Sequence, residues 1–519
     1  MAAVFGISAV ASARCAWAQG GNLTVTSVQP AAHTLTAPTN SPIVVNFDRP
    51  VDPNSVVALQ SFWAFGRWSG TVDGTFRFSN GNQTVALMPN RPFSAGEVVM
   101  VILSHDLQAL DGTFLRSGGY SYQFWTAARP AAMDYFELQV RSTNTNGGPS
   151  SRPYGGVGTD FNGDGWLDVS MINEDTQDLR VYLNTADGTG TINAFIQPPF
   201  PLQDRASPNE PTDFNRDGLA DLCVCNINPN TVSILLGNGD GTFAPQQIVP
   251  VGSAPRGIAV LDVDGDGDMD IVNTNSAGAG TLSVLTNDGM GVFGAPSFFE
   301  AGGTGEWALA AADMNEDGLL DLVVGARGSS QLIVQTALGD GTFAFASTTS
   351  AGGPLWMLVT GDVDGDGHED VATVNSSTND GSILLGDGTG GLFGLQTYPT
   401  DPFGLATDLG DLDGDGDLDW ITSSFGGDWF LFTNDGSGTF AFDREFLSPQ
   451  AASCCVMLDM DNDGDLDLAL IDELQDVVII MSNGGPAPAI PAVQSWGLLM
   501  AVLLTLAAGT IAYNALKAC

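Results

Sequence analysis

Short runs of alternating apolar and polar residues fill this chain, and over most of its length the runs come round again at a fixed interval. From about residue 130 to residue 485 one unit repeats seven times, at intervals of 48 to 53 residues. In the third unit an apolar run at 257–261 enters a polar loop and a second at 270–272 leaves it. A third follows at 281–285, and a glycine-rich turn then ends in Phe293. Runs of this length bounded by Gly, Asn and Asp read as strands. A fourth, less regular run returns to the next unit. Four strands per unit and seven units predict an all-β, seven-bladed β-propeller over residues 130–485. The seventh unit stops after its third strand, 477–481, before the chain turns proline-rich. The strand-like segment 135–140 precedes the first unit and is the expected fourth strand of that last blade, which would remove an open edge.

Residues 19–127 alternate in the same way without the polar loops. Strand-like runs fall at 23–28, 43–47, 84–88, 98–103 and 120–125 between Pro, Gly and Asn turns, which predicts an immunoglobulin-like β-sandwich. The two ends of the chain have a different pattern. Residues 2–13 are small and apolar and Ala16-Trp17-Ala18 suits a cleavage site, so residues 1–18 read as a secretory signal peptide, although without a basic start. At the other end no charge lies between Asp476 and Lys517. Residues 496–516 read as a transmembrane helix, because their apolar run, at about 1.5 Å per residue, just spans a bilayer core. A proline-rich spacer, 486–495, precedes it. These readings place the folded domains outside the cytoplasm, exported to the bacterial surface or secreted.

The net charge of −44 excludes nucleic acid as a natural partner, because a polyanion would be repelled. Half of the acid is local: 30 of the 60 acidic residues sit in the seven repeated loops, which follow the pattern D-x-[DN]-x-D-G-x-x-D. Carboxylates at alternate positions of a tight turn can converge on one hard cation, glycine at position 6 permits the bend, and position 7 adds a backbone carbonyl. The expected calcium ligands, up to seven ions in all, are Asp160, Asn162, Asp164, Trp166 and Asp168 in the first loop and Asp213, Asn215, Asp217, Leu219 and Asp221 in the second. The third and fourth loops supply Asp262, Asp264, Asp266, Asp268 and Asp270, then Asp313, Asn315, Asp317, Leu319 and Asp321. Asp362, Asp364, Asp366, His368 and Asp370 form the fifth set, and Asp411, Asp413, Asp415, Asp417 and Asp419 the sixth. Asp459, Asp461, Asp463, Asp465 and Asp467 complete the series. Asparagine at position 3 lowers the ligand charge of loops 1, 2 and 4, so those three should bind more weakly.

Catalytic chemistry has little support. The three histidines, His33, His105 and His368, are scattered, and Cys223, Cys225, Cys454 and Cys455 read as small buried apolar side chains. One column does vary in an interesting way. Six residues before each first aspartate stand Tyr154, Ser207, Arg256, Trp307, Trp356, Leu405 and Ser453. This column starts each innermost strand, so it should ring one mouth of the central channel. Tyr154, Arg256, Trp307 and Trp356 are the candidate ligand-binding residues, suited to stacking on a sugar or clasping an anion. Simple packing of the tryptophans between blades is the competing reading.

The loops, together with turns such as Phe293-Gly294-Ala295-Pro296, resemble FG-GAP or VCBS repeats, the family of the integrin α-subunit propeller. The resemblance implies calcium on the blade loops. Residues 19–127 resemble a bacterial Ig-like family of surface-layer proteins through Val45-Asn46-Phe47, Pro50-Val51-Asp52, Met88-Pro89 and Leu110-Asp111-Gly112, which implies a spacer or adhesion module. Ile490-Pro491 followed by Trp496-Gly497 resembles an IPTL-type C-terminal sorting signal, which implies that the membrane helix is removed by processing. A permanent single-pass anchor is the alternative. The function expected is calcium-stabilised adhesion or binding of an extracellular protein or glycan, with no enzyme activity. The alternatives are a polysaccharide-degrading enzyme and a structural matrix component.

Overall fold

The computed structural model describes residues 21–144, 148–277 and 281–484. The expected signal peptide (1–18), spacer (486–495) and membrane helix (496–516) lie outside the described residues. Among the described residues no helix is long and apolar enough to cross a membrane.

Two four-stranded antiparallel sheets form the N-terminal sandwich. One orders Val25–Gln29, Ile43–Phe47, Thr84–Pro89 and Gly74–Ser79; the other orders Gly70–Thr71, Phe62–Gly66, Val98–Leu103 and Tyr120–Trp125. Three of these strands were not expected from sequence. Phe62–Gly66 is buried at every position, so it has no alternation to betray it, and Gly70–Thr71 is only two residues long. Gly74–Ser79 alternates well but opens on glycine next to a turn.

Seven further four-stranded sheets follow, each one blade. The innermost strand of every blade touches that of the next, and blade 7 closes onto blade 1, so the ring is complete. The second strand of each blade is buried along its whole length, because it is covered by a blade on either side. Blade 7 is completed from the front of the chain, as the sequence predicts. Phe136–Ser142 pairs antiparallel with Val477–Ser482, from Phe136 opposite Ser482 to Ser142 opposite Val477. Apolar clusters fill the gaps between blades, as between blades 3 and 4, where Leu261, Val272 and Val284 meet Leu309, Leu322 and Val324.

The sandwich is more than a spacer. Trp63, Trp68 and Trp125 leave its own core and enter inter-blade clusters of the propeller. Burying three indoles at one boundary removes several hundred Å² of apolar surface from water, which makes the two domains one packed body. They meet on the face that carries the acidic loops.

Candidate functional site

Each acidic loop joins the first strand of a blade to its second. Position 1 accepts the amide of position 6 and that of position 5 or 4: in the first loop Asp164 N donates to Asp160 Oδ1 at 3.1 Å and Gly165 N to Oδ2 at 2.9 Å, and in the third Gly265 N donates to Asp262 Oδ1 at 2.7 Å. The glycine at position 6 has φ of +83° there, in the left-handed region where a side chain is strained. Position 9 opens the second strand and is occupied at both oxygens. Asp168 Oδ2 accepts Phe161 N at 3.0 Å and Oδ1 accepts Asn184 N, beyond the third strand, at 2.8 Å. The equivalent pair recurs at Asp221, Asp270, Asp321, Asp370, Asp419 and Asp467. This aspartate therefore ties its loop to the third strand of the same blade.

The carbonyl of position 2 ties the loop to the following blade. Phe214 O accepts the side chain of Asn287 at 2.7 Å, Leu412 O that of Asn483 at 3.0 Å, and Met460 O that of Asn184 at 2.8 Å. Elsewhere a glycine amide does the same work, as Gly241 N to Phe161 O and Gly390 N to Met314 O. The loops thus form a closed circuit of hydrogen bonds around one face.

Carboxylates crowd inside this circuit. Asp262, Asp264 and Asp270; Asp362, Asp364 and Asp370; Asp411, Asp413 and Asp415; and Asp459, Asp461 and Asp467 each bring three oxygens within 4.8 Å of one another. These are loops 3, 5, 6 and 7, the ones with aspartate at position 3. In loops 1 and 2 the asparagine at that position turns its amide onto the position-5 carboxylate, Asn162 to Asp164 and Asn215 to Asp217, both at 2.9 Å. Burial, reinforced by the neighbouring carboxylates, raises Asp168, Asp221, Asp321, Asp370 and Asp419 to about 8 despite their amide donors. Asp264 Oδ1 is buried without a hydrogen-bond partner. Clustered, desolvated oxygens with unused lone pairs fit a hard divalent cation, which would supply the missing positive charge.

All seven loops also touch the sandwich or the linker behind it. Trp68 O accepts Asp160 N, Thr71 Oγ1 donates to Asp213 Oδ2 at 2.8 Å, and Trp63 Nε1 donates to Gly267 O at 3.0 Å. Ser121 N reaches Gly318 O, His33 Nδ1 reaches Glu369 Oε1 at 2.8 Å, and Ala131 N reaches Asp413 O. Arg129 clasps Asp463 and Asp465 at 2.7 and 2.6 Å. Within the bore, Arg67 stands 3.7 Å from Asp408 on the inner strand of blade 6. The loop-side mouth is therefore covered.

Among the described residues no part of the sandwich covers the opposite mouth, and the variable column lies there. In every blade the inner strand shifts register at this column, between Pro153 and Gly155, Ala206 and Asn209, Pro255 and Ile258, Glu306 and Ala308, Leu355 and Met357, Gly404 and Thr407, and Ala452 and Cys454. A β-bulge frees one residue from the ladder and re-aims its side chain. Four of the aimed side chains meet. Trp356 Nε1 donates to Tyr154 Oη at 2.8 Å, from blade 5 to blade 1, and the rings of Trp307 and Trp356 lie 4.6 Å apart. The Arg256 guanidinium sits 4.0 Å from the centre of Trp307. Ser207, Leu405 and Ser453 are buried in the channel lining that also holds Tyr154 and Trp356, so the column rings the channel while four of its members meet. The two tryptophans, on the inner strands of blades 4 and 5, pack against each other across the blade boundary at the mouth. Arg327 and Phe403 join them, unseen from sequence because both precede or follow the aligned strands; Phe403 lies 5.0 Å from Trp356, and Arg327 stacks 4.9 Å from both tryptophans.

Repeated carboxylate loops on a seven-bladed ring, fronted by a small β-sandwich, define a class of multi-domain repeat propeller. The chain belongs to the FG-GAP-like repeat family, which matches at 160–224, 213–273, 262–324, 313–373, 362–422 and 411–470, and residues 21–126 match a bacterial Ig-like domain. Among solved structures the chain is similar to BBS1N in complex with ARL6DN, at 12% identity over 67% of this chain and 96% of that one, with a TM-score of 0.48. It is also similar to an Agrocybe aegerita lectin described for recognition of non-reducing terminal N-acetylglucosamine, at 16% identity, 84% and 99% coverage and a TM-score of 0.40. A Lactobacillus plantarum protein matches at 13% identity, 62% and 93% coverage and a TM-score of 0.42. No curated protein matches the chain.

Proposed function

We propose that this chain is an exported or surface-held binding protein without catalytic chemistry of its own. Calcium in the acidic loops stiffens the propeller, and the open mouth takes an extracellular protein or glycan ligand. One observation carries the reading: every blade spends a bulge on the one column that faces the uncovered mouth, while the loop face is occupied by the sandwich. Bulges weaken a ladder, so a full set on one rim is retained for what it presents. The domain families and the sequence of both ends support a place outside the cytoplasm.

A glycan array probed with the calcium-loaded protein, and again with Trp307→Ala and Trp356→Ala, tests this. Specific binding that both substitutions abolish is expected. Turnover of a bound polysaccharide, or binding indifferent to both substitutions, would overturn the proposal.

A further inference from the structure

The open mouth collects positive charge in a chain that has little of it. Four arginines surround it on consecutive blades. Arg152 precedes the inner strand of blade 1, Arg205 that of blade 2, Arg256 lies in the bulge of blade 3, and Arg327 follows the second strand of blade 4. The first two are neutralised: Arg152 meets Glu473 at 2.6 Å, and Arg205 lies 3.8 Å from Glu174. Arg256 and Arg327 differ. Among the described residues neither has a carboxylate within ion-pair distance, although the chain has 60 acidic residues for 16 basic ones. Supply cannot explain two unpaired cations against the same indole.

Their geometry is that of a prepared receptor. Both guanidinium groups lie over Trp307, at 4.0 and 4.9 Å, and Arg327 also lies 4.9 Å from Trp356. Stacking fixes the plane of a guanidinium and leaves its edge donors free. Arg327 uses one of them on Ser376 Oγ at 3.3 Å, while Arg256 Nε is buried with no acceptor at all. The hydrogen bond from Trp356 to Tyr154 spans the channel from blade 5 to blade 1. Half-buried Trp356 and 36%-exposed Phe403 supply an apolar wall.

We propose that the open mouth binds the carboxylate of an acidic sugar at the end of a glycan, with Arg256 and Arg327 on the carboxylate and Trp356 and Phe403 against the pyranose ring. A planar carboxylate matches the guanidinium fork, and charge-assisted pairs of this kind are the strong ones. The inference rests on the mouth being the binding surface proposed above.

Isothermal titration of the full chain in millimolar calcium with tri-galacturonate, its neutral methyl ester and a sulfated trisaccharide separates the possibilities. Tri-galacturonate is expected to bind at least about tenfold more tightly than either other probe, with an affinity that falls as salt rises. Arg256→Gln and Arg327→Gln should each remove that preference. Arg327→Lys keeps the charge without the fork and should lose most of it while leaving the melting temperature in place, which guards against misreading an unfolded variant. Equal binding of acid and methyl ester would overturn the acidic class and leave a glycan-binding mouth standing; tighter binding of the sulfated probe would replace carboxylate by sulfate. Binding that survives Trp307→Ala and Trp356→Ala would place the ligand elsewhere and overturn both readings. Failure of all three probes to bind would also overturn this inference.

Discussion

Position 9 of each loop is where sequence pattern and energetics part company. A carboxylate at the end of an acidic repeat reads as one more metal ligand, yet Asp321 already accepts Met314 N at 3.2 Å and Ala337 N at 2.7 Å. It works as a brace whether or not a cation is present. Asp321→Ala in chelated protein should therefore cost about 2 kcal/mol in urea unfolding, since two buried amides lose their acceptor. Asp317→Asn, at exposed position 5 of the same loop, should change chelated stability by less than about 0.5 kcal/mol and lower only metal uptake. Equal losses from the two substitutions would sink the distinction. The repeated aspartates were legible from spacing alone. That the ninth bonds to a third strand some sixteen residues further on was not, because the pattern records positions and not partners.

Among the elements, the hairpin linking Phe62–Gly66 to Gly70–Thr71 joins the two domains. Its tip holds Arg67 and Trp68, and its shape depends on Glu97, which is fully buried. Glu97 accepts Ser69 Oγ, Ser69 N, Trp68 N and Ser94 N at 2.5 to 2.8 Å. Burial raises its pKa against the pull of these donors. Glu97→Ala should destabilise the sandwich by about 3 kcal/mol and speed proteolysis of the hairpin, because four donors are orphaned in the interior. Unchanged protease resistance would show that the tip holds its shape alone. Sequence showed five of the eight sandwich strands and the closing strand of the propeller, all of which alternate or stand at a predictable place in the repeat. The docking hairpin stayed hidden, since a run buried on both faces has no period to read. The bulges stayed hidden for a related reason: an extra residue in a ladder is visible only once its partner strand is known.

For the whole molecule, the position of the sandwich makes the loops a shared structure. Seven acidic loops, four of them with clustered carboxylates, lie under one domain boundary, and each bound cation would remove repulsion there. Chelation should lower the melting temperature by mass action, about 2.7 kcal/mol for each site held at a hundredfold excess over its Kd. It should also release the sandwich, seen as a larger radius of gyration in X-ray scattering and a new protease cut near residues 126–135. A sandwich that stays docked in chelator would mean that Trp63, Trp68 and Trp125 hold the boundary without help from the loops.

The strand Phe136–Ser142 must wait for a partner at the far end of the repeat array. Until Val477–Ser482 emerges, its edge is open, and so is the flank of blade 1 that the seventh blade will cover. The ring therefore closes as a single late event, after nearly the whole repeat array has been synthesised. A truncated chain would fold most of its blades and still expose both ends of an unclosed circle to other chains.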